Sequence, residues 1–164
     1  MFEQGEIVRI KGIYMINTKR LRPHIVLFSR DTVDGNQVCV CPLTATIDPY
    51  NNNGQNYYLI PEIIHGKNRL TLAKISEVGF YDSSIATKCN FFTKASESTM
   101  SRMMEKLSNT ESLDDPNKEQ LQEIKEYILY LKLFKQLEAR EELRKKNNAK
   151  KLVKQEAKRF KYFI

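Results

Sequence analysis

The chain has 164 residues, of which 41% are hydrophobic and 29% charged, as in an ordinary globular protein of one modest domain or of a small domain with an appendage. No apolar run approaches the roughly 18 residues of a membrane span, and the N-terminus lacks the pattern of a signal peptide, so we expect a cytoplasmic protein without a membrane segment. Cys39, Cys41 and Cys89 form no CxxC pair and no His/Cys cluster, so we expect no structural zinc and no other metal.

The basic charge lies almost wholly near the end of the chain. The formal net charge is +7, and residues 144–161 hold nine Lys/Arg and one Glu, which gives +8 and leaves −1 for the rest. A basic tail predicts a polyanionic partner, most often nucleic acid. A solvated helix end that only aids solubility is an equally good interpretation.

Residues 5–82 have the pattern of short β-strands. Two apolar, β-branched runs at 23–29 and 37–43 flank the step Asp34-Gly35, which favours a positive-φ turn, so they predict a hairpin. The composition of 48–54 predicts a loop. The other predicted strands occupy 5–10, 57–61 and 70–78. Five or so short strands with polar turns predict a small closed or half-closed antiparallel barrel.

From residue 96 the apolar spacing becomes helical. Ser96 or Ser98 can cap a helix over 96–108. The apolar side of this helix carries Met100, Met103, Met104 and Leu107. A linker over 109–114 follows, and Asp115-Pro116 predicts a second helix start, with Asp as N-cap and Pro at the first helical position.

The second predicted helix runs to about Lys146, where Asn147-Asn148 weakens it before another amphipathic stretch. The stretch 127–134 is apolar nearly all round and must be covered by something. We therefore predict two parts, namely a barrel domain with its helix over 1–110 and a long amphipathic helical extension with a basic tail over 115–164.

Common enzyme templates are absent. The sequence has no Walker loop, no GxSxG and no HExxH, and its two histidines are His24 and His65. No pair of carboxylates has a spacing typical of acid/base catalysis. Any chemistry must therefore come from scattered residues that the barrel brings together.

Four short motifs resemble those of the MazF/PemK toxins, in the same order along the chain. Those proteins open with a G-[DE]-I strand, continue with R-P-apolar, end the next strand in P-[IL]-T, and have a later L-x-Q-I-x-x-I strand. The matching segments are Gly5-Glu6-Ile7-Val8, Arg22-Pro23-His24-Ile25-Val26-Leu27, Cys41-Pro42-Leu43-Thr44-Ala45-Thr46 and Leu72-Ala73-Lys74-Ile75-Ser76-Glu77-Val78. The resemblance covers roughly residues 5–108.

The resemblance implies an α+β fold, with an SH3-like antiparallel β-barrel of the MazF/PemK/CcdB kind followed by a helix. It implies a homodimeric toxin, neutralised by a cognate antitoxin, that cleaves single-stranded RNA without a metal or cofactor. The ribose 2′-OH attacks the adjacent phosphate and leaves a cyclic phosphate. Carried over, the active-site pair is Arg22 and Thr44.

These residue types suit the reaction. The transition state gathers negative charge on phosphate oxygens, and Arg22 would offer a planar, permanently charged fork of donors to it. Thr44 can donate a hydroxyl hydrogen bond to the same phosphate or orient the nucleophile. His24 lies two residues after Arg22 and so on the same strand face, where an imidazole could act as a general acid or base; a histidine bonded within the fold is the alternative.

The sequence departs from the family pattern at the later strand. Lys74 replaces the family's Gln, and Ala73 stands where some members have an acidic residue, so proton transfer has no evident carrier. Lys19 and Arg20 precede Arg22 in a loop that would approach RNA. With Lys74 they are predicted to bind RNA, and so are Lys150, Lys151 and Lys154 of the basic tail.

Two further interpretations stay open. The same barrel can serve as a non-catalytic binding module, either a CcdB-like gyrase inhibitor or an RNA-binding protein whose tail does the work, since fold does not determine function. The apolar part of the extension can pack on the chain's own barrel, pair with the same helix of a second subunit, or await an antitoxin.

Overall fold

The computed structural model describes residues 1–15, 18–45, 57–65, 69–109 and 118–161, which form an α+β protein with an antiparallel sheet and a long C-terminal helix. The strands are β1 (Ile7–Tyr14), β2 (Leu21–Thr32), β3 (Gly35–Thr44), β4 (Tyr57–His65), β5 (Arg69–Lys74), β6 (Gly79–Asp82) and β7 (Ala86–Lys88). The helices are α1 (Glu97–Asn109) and α2 (Lys118–Lys161). The predicted loop over 48–54, Thr46 of the third motif and the helix start at Asp115-Pro116 lie outside the described residues.

The predicted hairpin is confirmed. Strands β2 and β3 pair antiparallel from Thr32↔Gly35 at the turn to His24↔Pro42 at the far end. Gly35 has a φ of 136°, which suits glycine, and the Thr32 hydroxyl donates to its carbonyl oxygen at 2.8 Å. The turn therefore sets the register in which the start of β2 faces the end of β3.

Strand β3 has three neighbouring strands. One edge pairs with β2; the other pairs with β6 at residues 37–40 and with β5 at residues 43–44. The ladder on this second edge is interrupted beside Pro42, which has no N–H to donate to a neighbouring strand. Both faces of β3 are buried from Val38 to Leu43, so it forms the centre of the core.

The strand order is β4-β5-β3-β2-β1-β7, with β6 beside β3. All the described pairings are antiparallel. Strands β4 and β7 lie at the two ends of this order and do not pair within the described part of the chain. The sheet is therefore not closed, and the predicted barrel is not confirmed.

The strand predicted over 70–78 is too long. Strand β5 ends at Lys74, and Ile75–Glu77 form a single 3-10 turn in which the Val78 N–H donates to the Ile75 carbonyl at 3.2 Å. Burial of Ile75 holds the turn against the core. The predicted strand extended through the turn because Ile75 and Val78 are apolar, and both are buried although they belong to different local structures.

Helix α1 confirms the prediction over 96–108. The Ser96 hydroxyl accepts from the Thr99 N–H at 3.2 Å and so caps the helix. The Ser96 and Thr99 hydroxyls also donate to the Glu62 carboxylate of β4, and Lys106 Nζ donates to the Tyr57 carbonyl at 2.6 Å. These bonds dock the helix along β4. The predicted apolar side is buried, and consists of Met100, Met103, Met104 and Leu107.

Helix α2 is continuous over 44 residues, so the predicted weakening at Asn147-Asn148 does not interrupt it. Asparagine is a modest helix former, and strong formers on both sides outweigh two of them. Leu121 and Ile124 at its start are buried, and Glu123 accepts from Arg30 Nη1 at 2.8 Å. No helix of the described residues is both long and apolar enough to cross a membrane.

Internal contacts divide the chain into Met1–Lys125 and Glu126–Ile164. The first unit holds the sheet, α1 and the first turns of α2, and the second holds the remainder of α2. The predicted division into 1–110 and 115–164 stays a prediction, since its boundary lies outside the described residues.

Gly5 tests how tightly the start of β1 is packed. Its φ is 87°, and an added Cβ would lie 2.7 Å from the Ala95 carbonyl oxygen. Gly5→Ala should therefore lower the free energy of unfolding by about 2–4 kcal/mol in urea denaturation, since backbone strain and a backbone clash combine.

Gly12→Ala is the matched control. Gly12 has nearly the same φ, 89°, with no heavy atom within 4 Å of an added Cβ. This variant should lose only about 1 kcal/mol. Equal losses in the two variants would show that the contact with Ala95 is unimportant.

Candidate functional site

The register of three strands places the predicted site residues on one face of the sheet. His24 lies opposite Pro42, and Thr44 lies opposite Leu72. Opposed residues share a face, as do alternate residues of one strand. Arg22 alternates with His24 on β2, Thr44 with Pro42 on β3 and Lys74 with Leu72 on β5. Arg22, Thr44 and Lys74 therefore belong to one face.

The 3-10 turn after β5 adds a carboxylate to this group. Glu77 Oε1 lies 2.6 Å from Lys74 Nζ, and Glu77 Oε2 lies 3.7 Å from Arg22 Nη1. The side chains of Arg22 and Lys74 are 17% and 15% exposed, whereas Glu77 is 42% exposed. We call Arg22, Thr44, Lys74 and Glu77 the strand-end cluster.

The charges of the strand-end cluster are not balanced. Two cations share one carboxylate, and both cations are largely withdrawn from water, where charge interactions are stronger than on an open surface. The separation between Arg22 and Glu77 exceeds a hydrogen-bond length, so this contact leaves the guanidinium donors available. The cluster is thus suited to receive an anion that offers several oxygens, such as a phosphate.

Glu77 was missed as a functional residue from the sequence. It fell inside a predicted strand, where residues three apart point to opposite faces, so no contact with Lys74 was expected. The spacing Lys74-x-x-Glu77 was the available signal, because residues three apart meet in a helical turn and not in a strand. Ala73, the position considered for an acidic residue, is fully buried opposite Leu43.

Arg30, in the same strand as Arg22, is an arginine whose donors are bonded within the protein. Its Nε and Nη2 donate to Gln37 Oε1 at 3.0 and 2.9 Å, and Nη1 donates to Glu123 at 2.8 Å. Its guanidinium carbon also lies 3.5 Å from the centre of the Phe80 ring. The donors of Arg30 lie within hydrogen-bond distance of protein partners, whereas Arg22 Nη1 lies 3.7 Å from its partner Glu77.

His24 is buried two residues after Arg22 on β2. The residue is 1% exposed, and its Nδ1–H donates a hydrogen bond to the Arg22 carbonyl oxygen at 2.9 Å. Burial lowers the pKa of His24 from 6.5 to about 4, against the opposing effect of that hydrogen bond. The imidazole is therefore neutral at neutral pH, and Nε2 has no hydrogen-bond partner among the described residues.

This environment favours a supporting role for His24, since its bond to the Arg22 carbonyl fixes the backbone that carries the guanidinium. Its ring also meets the edge of Tyr81, with centroids 6.3 Å apart. Proton transfer by His24 stays a prediction.

The predicted RNA-binding residues of the first unit lie on two sides of Arg22. Lys74 belongs to the strand-end cluster, whereas Lys19 and Arg20 are exposed in the connection before β2. Arg20 and Leu21 line a cleft of about 310 Å³ together with Arg9 of β1, which belongs to none of the predicted sites. Two arginines at one cleft make it a suitable place for a flanking phosphate.

The remaining predicted RNA-binding residues belong to the second unit. Lys150, Lys151 and Lys154 are exposed on α2. Lys150 and Lys154 are four residues apart, so they project from one side of the helix.

Comparison with known proteins leaves the family unassigned. No protein-family model matches the chain, and no curated protein matches it. The assignment of a function therefore depends on the residues of the strand-end cluster and their geometry.

The depressed pKa of His24 predicts a loss of stability in mild acid. In the unfolded chain this imidazole is protonated below pH 6.5, whereas in the folded chain it stays neutral down to about pH 4. The folding stability that the neutral imidazole contributes above pH 6.5 is therefore lost as the pH falls through this window. Between pH 7 and pH 5 the wild type should lose about 2 kcal/mol more unfolding free energy than His24→Leu, measured by urea denaturation. Parallel pH profiles for the two proteins would contradict the burial of a neutral imidazole.

Proposed function

We propose that this protein is a metal-independent endoribonuclease of the MazF/PemK type that cleaves single-stranded RNA at the strand-end cluster. One observation carries the proposal. The arginine and threonine of the two motifs lie on the same sheet face, and a second cation and a carboxylate lie beside them. Anion binding and proton transfer are the two requirements of phosphodiester cleavage by a neighbouring hydroxyl.

The reaction assigns one task to each charged group. The ribose 2′-oxygen attacks phosphorus and forms a new P–O bond, while its proton passes to the Glu77 carboxylate. The bond from phosphorus to the 5′-oxygen breaks, and the leaving 5′-oxygen takes a proton from solvent. The products are a 2′,3′-cyclic phosphate and a 5′-hydroxyl, and Glu77 returns its proton to water.

Arg22 stabilises the charge that develops during this step. Its planar fork is directed at the non-bridging oxygens, where donors fixed in advance are most effective. Lys74 supplies a second positive charge on the same side of the sheet, and its bond to Glu77 holds the carboxylate in position. The Thr44 hydroxyl would donate to the phosphate or orient the 2′-OH.

We also propose a barrel fold, a homodimeric state, an antitoxin partner and further RNA contacts, as in this type of protein. The open antiparallel sheet would correspond to an SH3-like barrel, and the active form would be a homodimer in the cytoplasm. A cognate antitoxin would act by covering the strand-end cluster, whose exposed carboxylate and two cations offer a charged target. RNA beyond the scissile phosphate would contact Lys19 and Arg20, and the basic part of α2 would add salt-sensitive affinity.

Cleavage of a long single-stranded RNA in EDTA tests the proposal directly. The wild type should produce discrete fragments that end in a cyclic phosphate. Arg22→Ala should be about 10²–10³-fold slower, because a donor to the transition state is lost. Thr44→Val, which removes only a hydroxyl hydrogen bond, should be slower by about tenfold or more.

Two controls separate catalysis from general charge. Arg22→Lys keeps the charge but not the fork, and should stay well below the wild type. Arg102→Ala removes an exposed arginine of α1 and should cleave normally. Intact RNA with every protein would reject the nuclease, and RNA binding without cleavage would support the binding module instead.

Glu77→Gln tests the carboxylate. Loss of the proton acceptor should slow cleavage by about 10²-fold or more. An RNA with a 2′-deoxy sugar at the cut site cannot be cleaved. Glu77→Gln should bind this RNA as tightly as the wild type or more tightly, because a negative charge beside the phosphate is removed.

Glu105→Gln, at an exposed carboxylate of α1, is the matched control and should change neither property. If Glu77→Gln cleaved at the wild-type rate, Glu77 would be a structural partner of Arg22 and Lys74 and not the base. Weaker binding together with slower cleavage would indicate a disordered cluster.

A further inference from the structure

The second unit carries an exposed apolar stripe that nothing in the proposed chemistry uses. Five large side chains of α2 are each 49–61% exposed within nine residues of helix. We call this set the α2 stripe; its members are Leu129, Tyr130, Leu133, Phe134 and Leu137.

The spacing of these residues puts them on one side of the helix. Steps of three and four residues keep a side chain on the same face, and the five positions follow such steps. The rings of Tyr130 and Phe134 stack with centroids 6.3 Å apart. Single exposed apolar side chains are ordinary on a protein surface, but a contiguous set of this size marks an interaction site.

The charges that flank the α2 stripe indicate what covers it. Glu126 lies seven residues before Leu133, and Arg140 lies seven residues after it. Seven residues are close to two helical turns, so both charges continue the same face at opposite ends. Along this face Glu126 precedes the apolar residues and Arg140 follows them, with Leu133 midway between the two charges. Glu141 also follows the apolar residues, and it is paired with Arg144 at 2.6 Å.

Such a face is complementary to itself when two copies run antiparallel. A twofold axis at Leu133 brings Leu133 against Leu133 of the second copy and Leu129 against Leu137. It also brings Glu126 against Arg140 at both ends. A parallel arrangement would instead oppose Glu126 to Glu126 and Arg140 to Arg140, which is unfavourable.

We propose that the α2 stripe is an interface between two copies of this chain, which pair antiparallel through residues 126–140 with Leu133 on the twofold axis. One surface that serves both partners is the usual basis of a twofold dimer. Two such faces would bury on the order of 1,000 Å², near the lower bound of a specific interface. A reversible dimer of moderate affinity is expected.

Cysteine cross-linking of the full chain tests the pairing. The three native cysteines are buried, and an added one at an exposed helix position is distinguishable from them. Leu133→Cys should form a disulfide-linked dimer on mild oxidation, since the two sulfurs face each other across the axis. Lys135→Cys, exposed on the far side of the helix, is the control and should remain monomeric on a non-reducing gel.

Orientation is tested by mixing two variants. Leu129→Cys or Leu137→Cys alone should cross-link poorly, but the mixture of the two should give the dimer. Efficient cross-linking of Leu129→Cys with itself would show a parallel pair and overturn the proposal. So would Leu133→Cys cross-linking no better than Lys135→Cys, which would leave the stripe to a different protein.

Charge reversal gives a second, independent measurement by sedimentation equilibrium. Glu126→Arg or Arg140→Glu alone should weaken association by about fivefold, because two equivalent pairs per dimer become repulsive. The double variant should return to the wild-type affinity, since each pair is restored with its signs exchanged. Failure of the double variant to recover would contradict the opposed Glu126 and Arg140. None of these readouts depends on RNA cleavage.

Discussion

The geometry of the first unit depends on β3, a strand buried on both faces that three other strands contact. The hairpin with β2 sets which residues of the two strands face each other, and the alternation of side chains then decides which of them share a face. On the opposite edge β5 and β6 are two separate strands, and the ladder between their pairings is interrupted beside Pro42. The 3-10 turn between β5 and β6 brings Glu77 close to Arg22 and Lys74.

The strand-end cluster combines partial burial with unequal charge. Arg22 and Lys74 are drawn toward one carboxylate that is itself more exposed than either cation. Since Arg22 and Lys74 share a single carboxylate, an anion could contact both cations without displacing several protein partners. Arg30 is the contrast within the same sheet, since its donors are directed at Gln37 and Glu123 and its plane covers Phe80. Arg22 and Arg30 are thus similarly buried, and they differ in how closely their donors approach protein partners.

Helix α2 joins two different kinds of surface. Its first turns bury Leu121 and Ile124 within the first unit, whereas the second unit presents Leu129, Leu133 and Leu137 to solvent. Charge changes along the same helix, from the acid at Glu126 to the dense cations beyond residue 144. A helix with this pattern can associate through its apolar part while its basic end stays accessible to a polyanion. These two properties belong to different segments and do not compete for the same residues.

The sequence by itself determined the elements with strong local signals. The Asp34-Gly35 turn, the alternating runs around it and the capped, amphipathic helix after Ser96 follow from backbone preference and apolar period, and all were predicted. Arg22 and Thr44 were selected by motif, and the register supports their common face. The continuity of α2 through Asn147-Asn148 was not predicted, yet its cause is local, since these residues are exposed and strong helix formers flank them. The 3-10 turn and the burial of His24 were decided only by tertiary structure, because packing between segments distant in sequence holds Ile75 in the core and closes off His24 beside Tyr81.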